Sequence, residues 1–509
     1  MPDKIKTKIS ITALILILAL GLILRIYRLS DNPAGFFCDE ASNGYDAYSL
    51  LTTGKDQHGV ALPIFFQSFG NYVPPLLTYS TIPSVWLFGL NEFSTRLPSV
   101  IYGLIEIIIM YFIGKELSRN KQTYLGLIAA FITATIPWLI HYNRIGMELT
   151  IYATLFSMTV LFLLKSIHKT SFIIPAFVIA ALTFYTYNPA KLLVPLLLIG
   201  FLLIHKKTYL LHKKYTFAGT LTFFLLSIPL ILSFFNGEAF ARFNMVSVFS
   251  ANLPFTKTVM LIIQNYLTQL SPDYFISGEP TFITRHFIGG LTPLLITTLP
   301  FLLIGLIHTL LTLKKNKNSQ LLIYWLLIYP IAGAITSSGP FTSRDIIGAP
   351  LFAILISIGI ATIISHTKKF IPTGKSTAII TLIILINLTL FSKFYFFNYP
   401  LYSADYWGWQ YGPREIIAHF AKNENNYDDL IMIPEFNAPD IFFKFYAPNN
   451  CAKCKLGTPD NSYIPDRKQL FAITPEYMTN NPNYHYLPIK KIYYPNGSIA
   501  FILTEVSNK

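Results

Sequence analysis

Residues 9–26 read ISITALILILALGLILRI, and ten residues further on stand Phe36-Phe37-Cys38-Asp39-Glu40. The first stretch is apolar along almost its whole length and follows Lys4, Lys6 and Lys8. A helix of that length and composition crosses a bilayer. The cationic start resembles a secretory leader. No small-x-small cleavage site follows, so the run is expected to stay as the first membrane helix. The second stretch puts two adjacent carboxylates just past the membrane exit. Charges near membrane depth are costly and usually functional, so this pair needs a reason.

The rest of the chain repeats the apolar pattern. Ten further runs lie at roughly 97–114, 123–140, 149–165, 172–188, 190–205, 216–235, 291–313, 319–336, 348–365 and 376–396. The 509 residues are 53% hydrophobic and 13% charged, against about 25% charged in soluble proteins. The expected fold is an all-α polytopic membrane protein of about 11 transmembrane helices with a small C-terminal extracytoplasmic α/β domain. With the N-terminus in the cytoplasm, 18 Lys and Arg fall in cytoplasmic segments. The short outer turns then hold only Arg144, Lys191 and Arg344. That asymmetry sets the orientation, and an odd number of spans leaves the C-terminus outside. The net charge of +14 therefore belongs to cytoplasmic loops facing an anionic membrane, with no nucleic acid implied.

Residues 1–396 form the membrane domain, with long outer loops at 28–96 and 236–290. In the first loop, 76–90 is apolar but contains Pro83 and reads as re-entrant or interfacial. In the second, Val259, Ile262, Ile263, Tyr266 and Leu270 recur at helical spacing, as in a helix lying on the membrane surface. Residues 397–509 are richer in Asn, Asp and Pro. They predict a helix over Gly412–Lys422, a strand over Asp429–Pro434, a second helix from Pro439 and a hairpin turn at Asn496-Gly497. Cys451 and Cys454 form one CxxC with no second pair, so a local disulfide or free thiols fit better than zinc. No internal repeat supports a secondary transporter.

The candidate site residues are charged groups at outer helix ends. Asp39 fits the N-cap of a helix entering at Glu40, where the helix terminus favours an ionised carboxylate. Such a carboxylate can orient a hydroxyl and take its proton. Asp39, Glu40 and Glu148 are the candidate catalytic carboxylates. Arg144 and Glu148 are four apart, one helical face, and fit either an ion pair or a cavity wall. Arg344, beside Asp345, is either an interfacial anchor or a planar phosphate clamp. Arg144, Arg285 and Arg242 are further phosphate candidates. His286 is a structural histidine or a metal ligand, which leaves a divalent metal open as a cofactor. Lys55, with Asp56 and His58, reads as a solvated turn or a substrate contact. There is no P-loop and no G-x-S-x-G. A membrane enzyme without a nucleotide site points to a lipid-carried donor.

The order Leu24-Arg25-Ile26-Tyr27, Asp39-Glu40, Tyr45, Gly54, Pro63, Pro74-Pro75-Leu76, Phe88-Gly89 and Arg96-Leu97-Pro98-Ser99 resembles glycosyltransferase family 39. That family holds protein O-mannosyltransferases and lipid A aminoarabinose transferases, with the GT-C fold. The resemblance covers most of residues 20–150. Looser matches follow at Asn265-Tyr266, Ser271 to Tyr274, Arg285-His286, Arg344 to Pro350 and Tyr406 to Gly412, as in an uncharacterised bacterial branch. It implies an outward-facing site, a polyprenyl- or dolichyl-phosphate sugar donor and inversion at the anomeric carbon. It matches Asp39 to the catalytic first-loop Asp, places Glu148 where the family has a second acidic residue, and brings Tyr45 in as a substrate-side residue. The aminoarabinose transferases carry Glu-Lys-Pro where this chain has Val73-Pro74-Pro75. Their metal-binding Glu and phosphate-binding Lys therefore do not carry over.

The expected function is transfer of a monosaccharide from polyprenyl phosphate to a protein, lipid or glycan outside the cytoplasmic membrane. Its partners would be the lipid-linked sugar, membrane lipids and that acceptor. The rivals are a transporter or flippase of the same lipids, which would not need the carboxylate pair, and a non-catalytic assembly scaffold.

Overall fold

The structure is a computed structural model that describes residues 3–118, 123–235, 237–251, 253–277, 283–286, 288, 292–339, 341–449 and 451–508. The first membrane helix, α1, spans Asp3–Ile26. An irregular link leads to α2 (Cys38–Thr53), which ends at Gly54 in the left-handed conformation (φ 72°). A hairpin of β1 (Phe66–Ser68) and β2 (Asn71–Val73) follows. Helix α3 (Leu76–Phe88) keeps Pro83 within it and, at 13 residues, is too short to span. Helix α4 (Glu92–Leu117) starts on a reciprocal cap: Asn91 accepts from the Ser94 N–H at 3.0 Å, and Ser94 accepts from the Asn91 N–H at 3.2 Å.

The next predicted span, 123–140, is two helices, α5 (Thr123–Thr135) and α6 (Pro137–Tyr142). Pro137 has no N–H and cannot continue the ladder. Helices α7 (Leu149–Ser166), α8 (Ile173–Thr183), α9 (Ala190–Ile204), α10 (Lys206–Leu211) and α11 (Lys213–Phe235) complete the first half. The second half holds α12 (Glu238–Val246), α13 (Phe255–Leu270), α14 (Pro272–Ser277), α15 (Leu299–Thr312), α16 (Lys317–Ile328), α17 (Ile331–Ala334), α18 (Gly348–Thr367) and α19 (Thr373–Lys393). The expected span 319–336 is likewise divided, at Pro330 between α16 and α17. After α19 the helix continues through a π turn (Phe394–Asn398) into α20 (Tyr399–Tyr402). Each of the eleven apolar runs is thus helical in part or whole. Among the described residues six helices are individually long and apolar enough to cross a membrane. The protein is a multi-pass membrane protein.

Helix α13 is inverted relative to a soluble amphipathic helix, with its apolar face outward. Phe255, Met260, Ile263 and Leu267 are exposed, while Thr258, Asn265 and Gln269 are buried. Asn265 donates to the carbonyls of Ala334 and Thr336. An apolar outer face and a polar inner face fit a helix whose surroundings are lipid.

The C-terminal part begins with α21 (Pro413–Asn423) and builds a five-stranded sheet. The strands are β3 (Asp429–Met432), β4 (Cys454–Leu456), β5 (Gln469–Ile473), β6 (Tyr484–Tyr493) and β7 (Ile499–Asn508), ordered β4-β3-β5-β7-β6. β3 runs parallel to both β4 and β5, whereas β7 is antiparallel to β5 and β6. Gly497 has a positive φ of 87° in the turn joining β6 to β7, as the Asn-Gly pair predicts. Cys451 and Cys454 are joined in a disulfide, and Cys38 is free and buried. Helix α22 (Asp440–Tyr446) packs on α2, with the Phe36 and Phe445 rings 4.7 Å apart. Gly44 permits this approach, because a Cβ there would lie 2.6 Å from the Phe445 ring and 2.5 Å from the Thr95 hydroxyl.

Candidate active site

The link between α1 and α2 has no regular structure, yet much of it is buried. Buried carbonyl groups need donors, and two fully buried arginines supply them. Arg96, on α4, donates to the carbonyls of Leu29 (3.0 Å), Pro33 (3.2 Å) and Gly35 (2.8 Å). Arg144 donates to those of Leu24, Arg25, Tyr27 and Asn32 at 2.7–3.0 Å. Arg144 is therefore a brace for the chain leaving α1, and a phosphate has no access to it. Nor does it share a helical face with Glu148. Residues 143–148 are a turn, because the Gly146 N–H is bonded to Glu40 at 2.7 Å instead of to a helical carbonyl.

Glu40, expected among the catalytic carboxylates, is bound up in structure instead. Its carboxylate is fully buried and takes both arms of Arg96, at 2.8 and 2.9 Å, and it also accepts from the Phe37 N–H at 3.4 Å. Every oxygen is committed to holding the helix head, so Glu40 is a positioning residue. Helix α2 begins at Cys38, with Phe37 as its cap, and Asp39 lies in the first turn instead of at the N-cap. The Cys38 N–H is taken by Gln410 at 3.1 Å. With both neighbours serving the backbone, the Asp39 side chain points away.

The Asp39 carboxylate keeps solvent contact although protein surrounds it, which places it on the wall of a recess. The packed protein raises its pKa. Arg285 and then Arg242 pull the other way, and Glu40 adds to the rise. The expected lowering by the helix terminus is thus outweighed by burial, and the raised pKa makes Asp39 a stronger base. Glu148, at the head of α7, is pushed up to about 7 by burial and by the Asp39 charge, against Arg242. Arg285 lies flat on the Phe37 ring, 3.5 Å from its centre, and donates to the carbonyls of Trp407 and Gly408. Arg344 stacks on Phe341 at 4.3 Å and bonds Thr336, Ser338 and Gly339. Arg242, on α12, is exposed and makes no hydrogen bond or ion pair with another described residue.

Tyr187 shares this recess. Its hydroxyl feels Arg344, Glu148 and Arg242, and Arg242 also acts on Asp39 and on Glu148. Sequence reasoning missed it because a tyrosine in a short outer turn carries no pattern. It missed Arg96 as a site residue too, although the residue stands inside the quoted motif. His286 touches the Tyr142 and Phe341 rings, and burial and neighbouring arginines lower its pKa well below the usual range. Among the described residues no three His, Cys, Asp or Glu side chains gather to hold a metal. Lys55 lies beyond the far end of α2, roughly 24 Å along the helix from Asp39, exposed and paired through its backbone with Ala61. Tyr45 faces α22, where Lys444 sits over its ring at 5.9 Å. Neither belongs to the recess.

Residues 72–232 match the family model described as dolichyl-phosphate-mannose-protein mannosyltransferase. That match covers 161 of the 509 residues, and the fold of the whole is of the GT-C kind. No curated protein matches the sequence. Among solved structures, the fold is similar to ArnT from Cupriavidus metallidurans bound to undecaprenyl phosphate (12% identity, TM-score 0.52, 96% of this chain and 97% of that one). It is also similar to an oligosaccharyltransferase from Archaeoglobus fulgidus in the apo form (11% identity, TM-score 0.56, 98% of this chain and 74% of that one). AglB from the same archaeon, in complex with an inhibitory peptide and a dolichol-phosphate, matches at 13% identity and TM-score 0.50 over 76% of this chain. The chain spans 56% of that protein's length. In this GT-C fold the Arg96–Glu40 pair joins α4 to the head of α2.

Glu40→Gln leaves the Arg96 charge buried and half-paired, a change that costs about 3–5 kcal/mol. A large fall in thermal midpoint is expected in detergent. Replacing the pair together, Glu40→Leu with Arg96→Met, should lose less from the charge itself but still free the carbonyls of residues 29–35. Unfolding scans of the single and double variants check this. An unchanged midpoint for Glu40→Gln would remove the pair from its structural role.

Proposed function

We propose that the protein is an inverting glycosyltransferase that moves a monosaccharide from a polyprenyl-phosphate donor to an acceptor outside the cytoplasmic membrane. One observation carries the reading: a solvent-touching carboxylate, Asp39, whose two neighbours are locked into backbone, in a recess that also holds Arg242, Arg344 and Glu148. The family match and the lipid-phosphate ligands named for ArnT and AglB support a donor of that class.

The step balances with this chain's own residues. Asp39 accepts the proton of the acceptor hydroxyl as its oxygen bonds to the anomeric carbon. The bond from that carbon to the phosphate oxygen breaks on the opposite face, and polyprenyl phosphate leaves with the electron pair. The leaving phosphate gains negative charge, which a free guanidinium stabilises. Arg242 has its donors unspent and Arg344 lines the same recess. Arg285 stands behind Asp39 and offsets part of its raised pKa. Residues 1–396 form the catalytic membrane domain, and residues 397–509 form an extracytoplasmic domain that holds the head of α2 through Gln410 and Phe445.

Asp39→Asn is nearly isosteric and keeps the fold. It removes the proton acceptor, so turnover should fall by roughly two to four powers of ten. The assay is release of polyprenyl phosphate from a lipid extract by purified protein in lipid, with thermal stability measured beside it. Full turnover by a folded Asp39→Asn protein would sink the role of Asp39 as base.

Arg242→Ala should lower turnover by about one to two powers of ten, with an unchanged thermal midpoint. Arg144→Ala should do the reverse and lower the midpoint first. Equal effects of the two substitutions on both readouts would show that Arg242 is no phosphate ligand.

The orientation is checked at the disulfide. After mild reduction, a thiol label that cannot cross the cytoplasmic membrane should reach Cys451 or Cys454 in cells whose outer barrier alone is opened. Labelling seen only in lysed cells would place the domain and the recess on the cytoplasmic side.

A further inference from the structure

The ends of α4 and α7 remote from Asp39 meet a second polar site. Helix α4 runs from Glu92 to Leu117 and α7 from Leu149 to Ser166. At about 1.5 Å per residue these are roughly 39 and 27 Å long, a bilayer's thickness from the recess. There a cavity of about 240 Å³ opens between the ends of α4, α7, α9 and α16. Its polar lining is Glu116, His168, His205, Thr208, Lys317 and Asn318.

His205 is the observation that points to a ligand. The residue is 2% exposed, and its ring stacks on Phe201 with centres 4.6 Å apart. Its Nε2 has no hydrogen-bond partner. A buried polar atom left unpaired is costly and asks for an occupant of the space in front of it. Lys317 and Asn318 open α16, a helix of 12 residues, so the positive end of that helix also faces the cavity. His168 and Lys317 are exposed on the rim. Lys206, Lys207, Lys314 and Lys315 flank the two lining segments in sequence and add positive charge. Glu116 is the one acid among the described lining residues; it has a partner, but its Oε2 is buried without a hydrogen bond, so a hydrogen phosphate that presents a P–O–H to it fits better than a fully ionised one. These groups form no three-ligand metal set. An ammonium, two imidazoles, a hydroxyl and a helix N-terminus suit a tetrahedral oxyanion. The cavity has room for one, since a water takes roughly 30 Å³.

We propose that this cavity is a phosphate-binding site, separate from the catalytic recess, in which His205 and Lys317 hold a phosphate group and tie four helix ends together. The phosphate could belong to a lipid headgroup or to a soluble phosphate, and the two sources are told apart by the probe. Full-length protein in maltoside micelles is given either ³²P-labelled inorganic phosphate, read by equilibrium dialysis, or phosphatidylglycerol, read by native mass spectrometry. Diacylglycerol of the same chain length is the phosphate-free control. The wild type should bind at least one phosphate probe and bind phosphatidylglycerol above diacylglycerol if the source is lipid. Lys317→Ala, an exposed substitution that leaves the fold alone, should weaken that binding by about tenfold or more. His205→Gln should do the same, and basal transfer should be unaffected in both. Retention of inorganic phosphate with no preference for phosphatidylglycerol assigns a soluble ligand. The proposal is overturned if the wild type binds neither probe, or if Lys317→Ala binds both as tightly as the wild type.

Discussion

A buried ion pair between Glu40 and Arg96 is the constraint on which the outer half of the molecule rests. Its two hydrogen bonds satisfy the carboxylate, while the remaining guanidinium donors reach three carbonyls of the irregular link. A buried pair of this kind adds little net stability over an apolar substitute. What it supplies is register. Residues 29–35 have no helix or strand to fix their path, and Arg96 fixes it by reading their carbonyl oxygens. Asp39 inherits its position from that arrangement, being one residue from Glu40.

The arginines of the outer face divide by burial. Arg96 and Arg144 are fully buried and spend their donors inside the protein, Arg144 on backbone carbonyls and Arg96 on Glu40 and the carbonyls of the link. Arg242 and Arg344 keep contact with solvent, and Arg285 lies between these extremes, stacked on Phe37. A guanidinium out of water must have its donors met inside the protein. The same chemical group therefore serves as a buried brace in one place and stays open to solvent in another.

Much of this was legible in the sequence. Apolar length marks membrane helices directly, so the eleven runs emerge as helices, and the Asn-Gly hairpin follows from local turn chemistry. Asp39 stands out because a charge beside a span is conspicuous. What was not legible depends on contacts distant along the chain. Glu40 and Arg96 are 56 residues apart, and nothing local joins them. The four-residue spacing of Arg144 and Glu148 suggests one helical face, but Glu40 draws the Gly146 N–H out of any helix. Pro137 and Pro330 divide runs whose composition alone reads as continuous. Tyr187 and His205 matter only through what surrounds them. For the cysteine pair, spacing left two states open, and the folded chain settles on the disulfide.

The head of α2 is held by Gln410 on the Cys38 N–H and by Phe445 against Phe36. Those two residues are translated some 370 to 410 positions after the ones they hold. A growing chain makes its first helix early, yet the helix carrying Asp39 lacks these two contacts until residues 410 and 445 have left the ribosome. The order of synthesis thus acts as a timer. Chains that have not reached residue 410 hold α2 without either distant contact, and the first loop gains its full set of neighbours only when residues 410–445 pack against it.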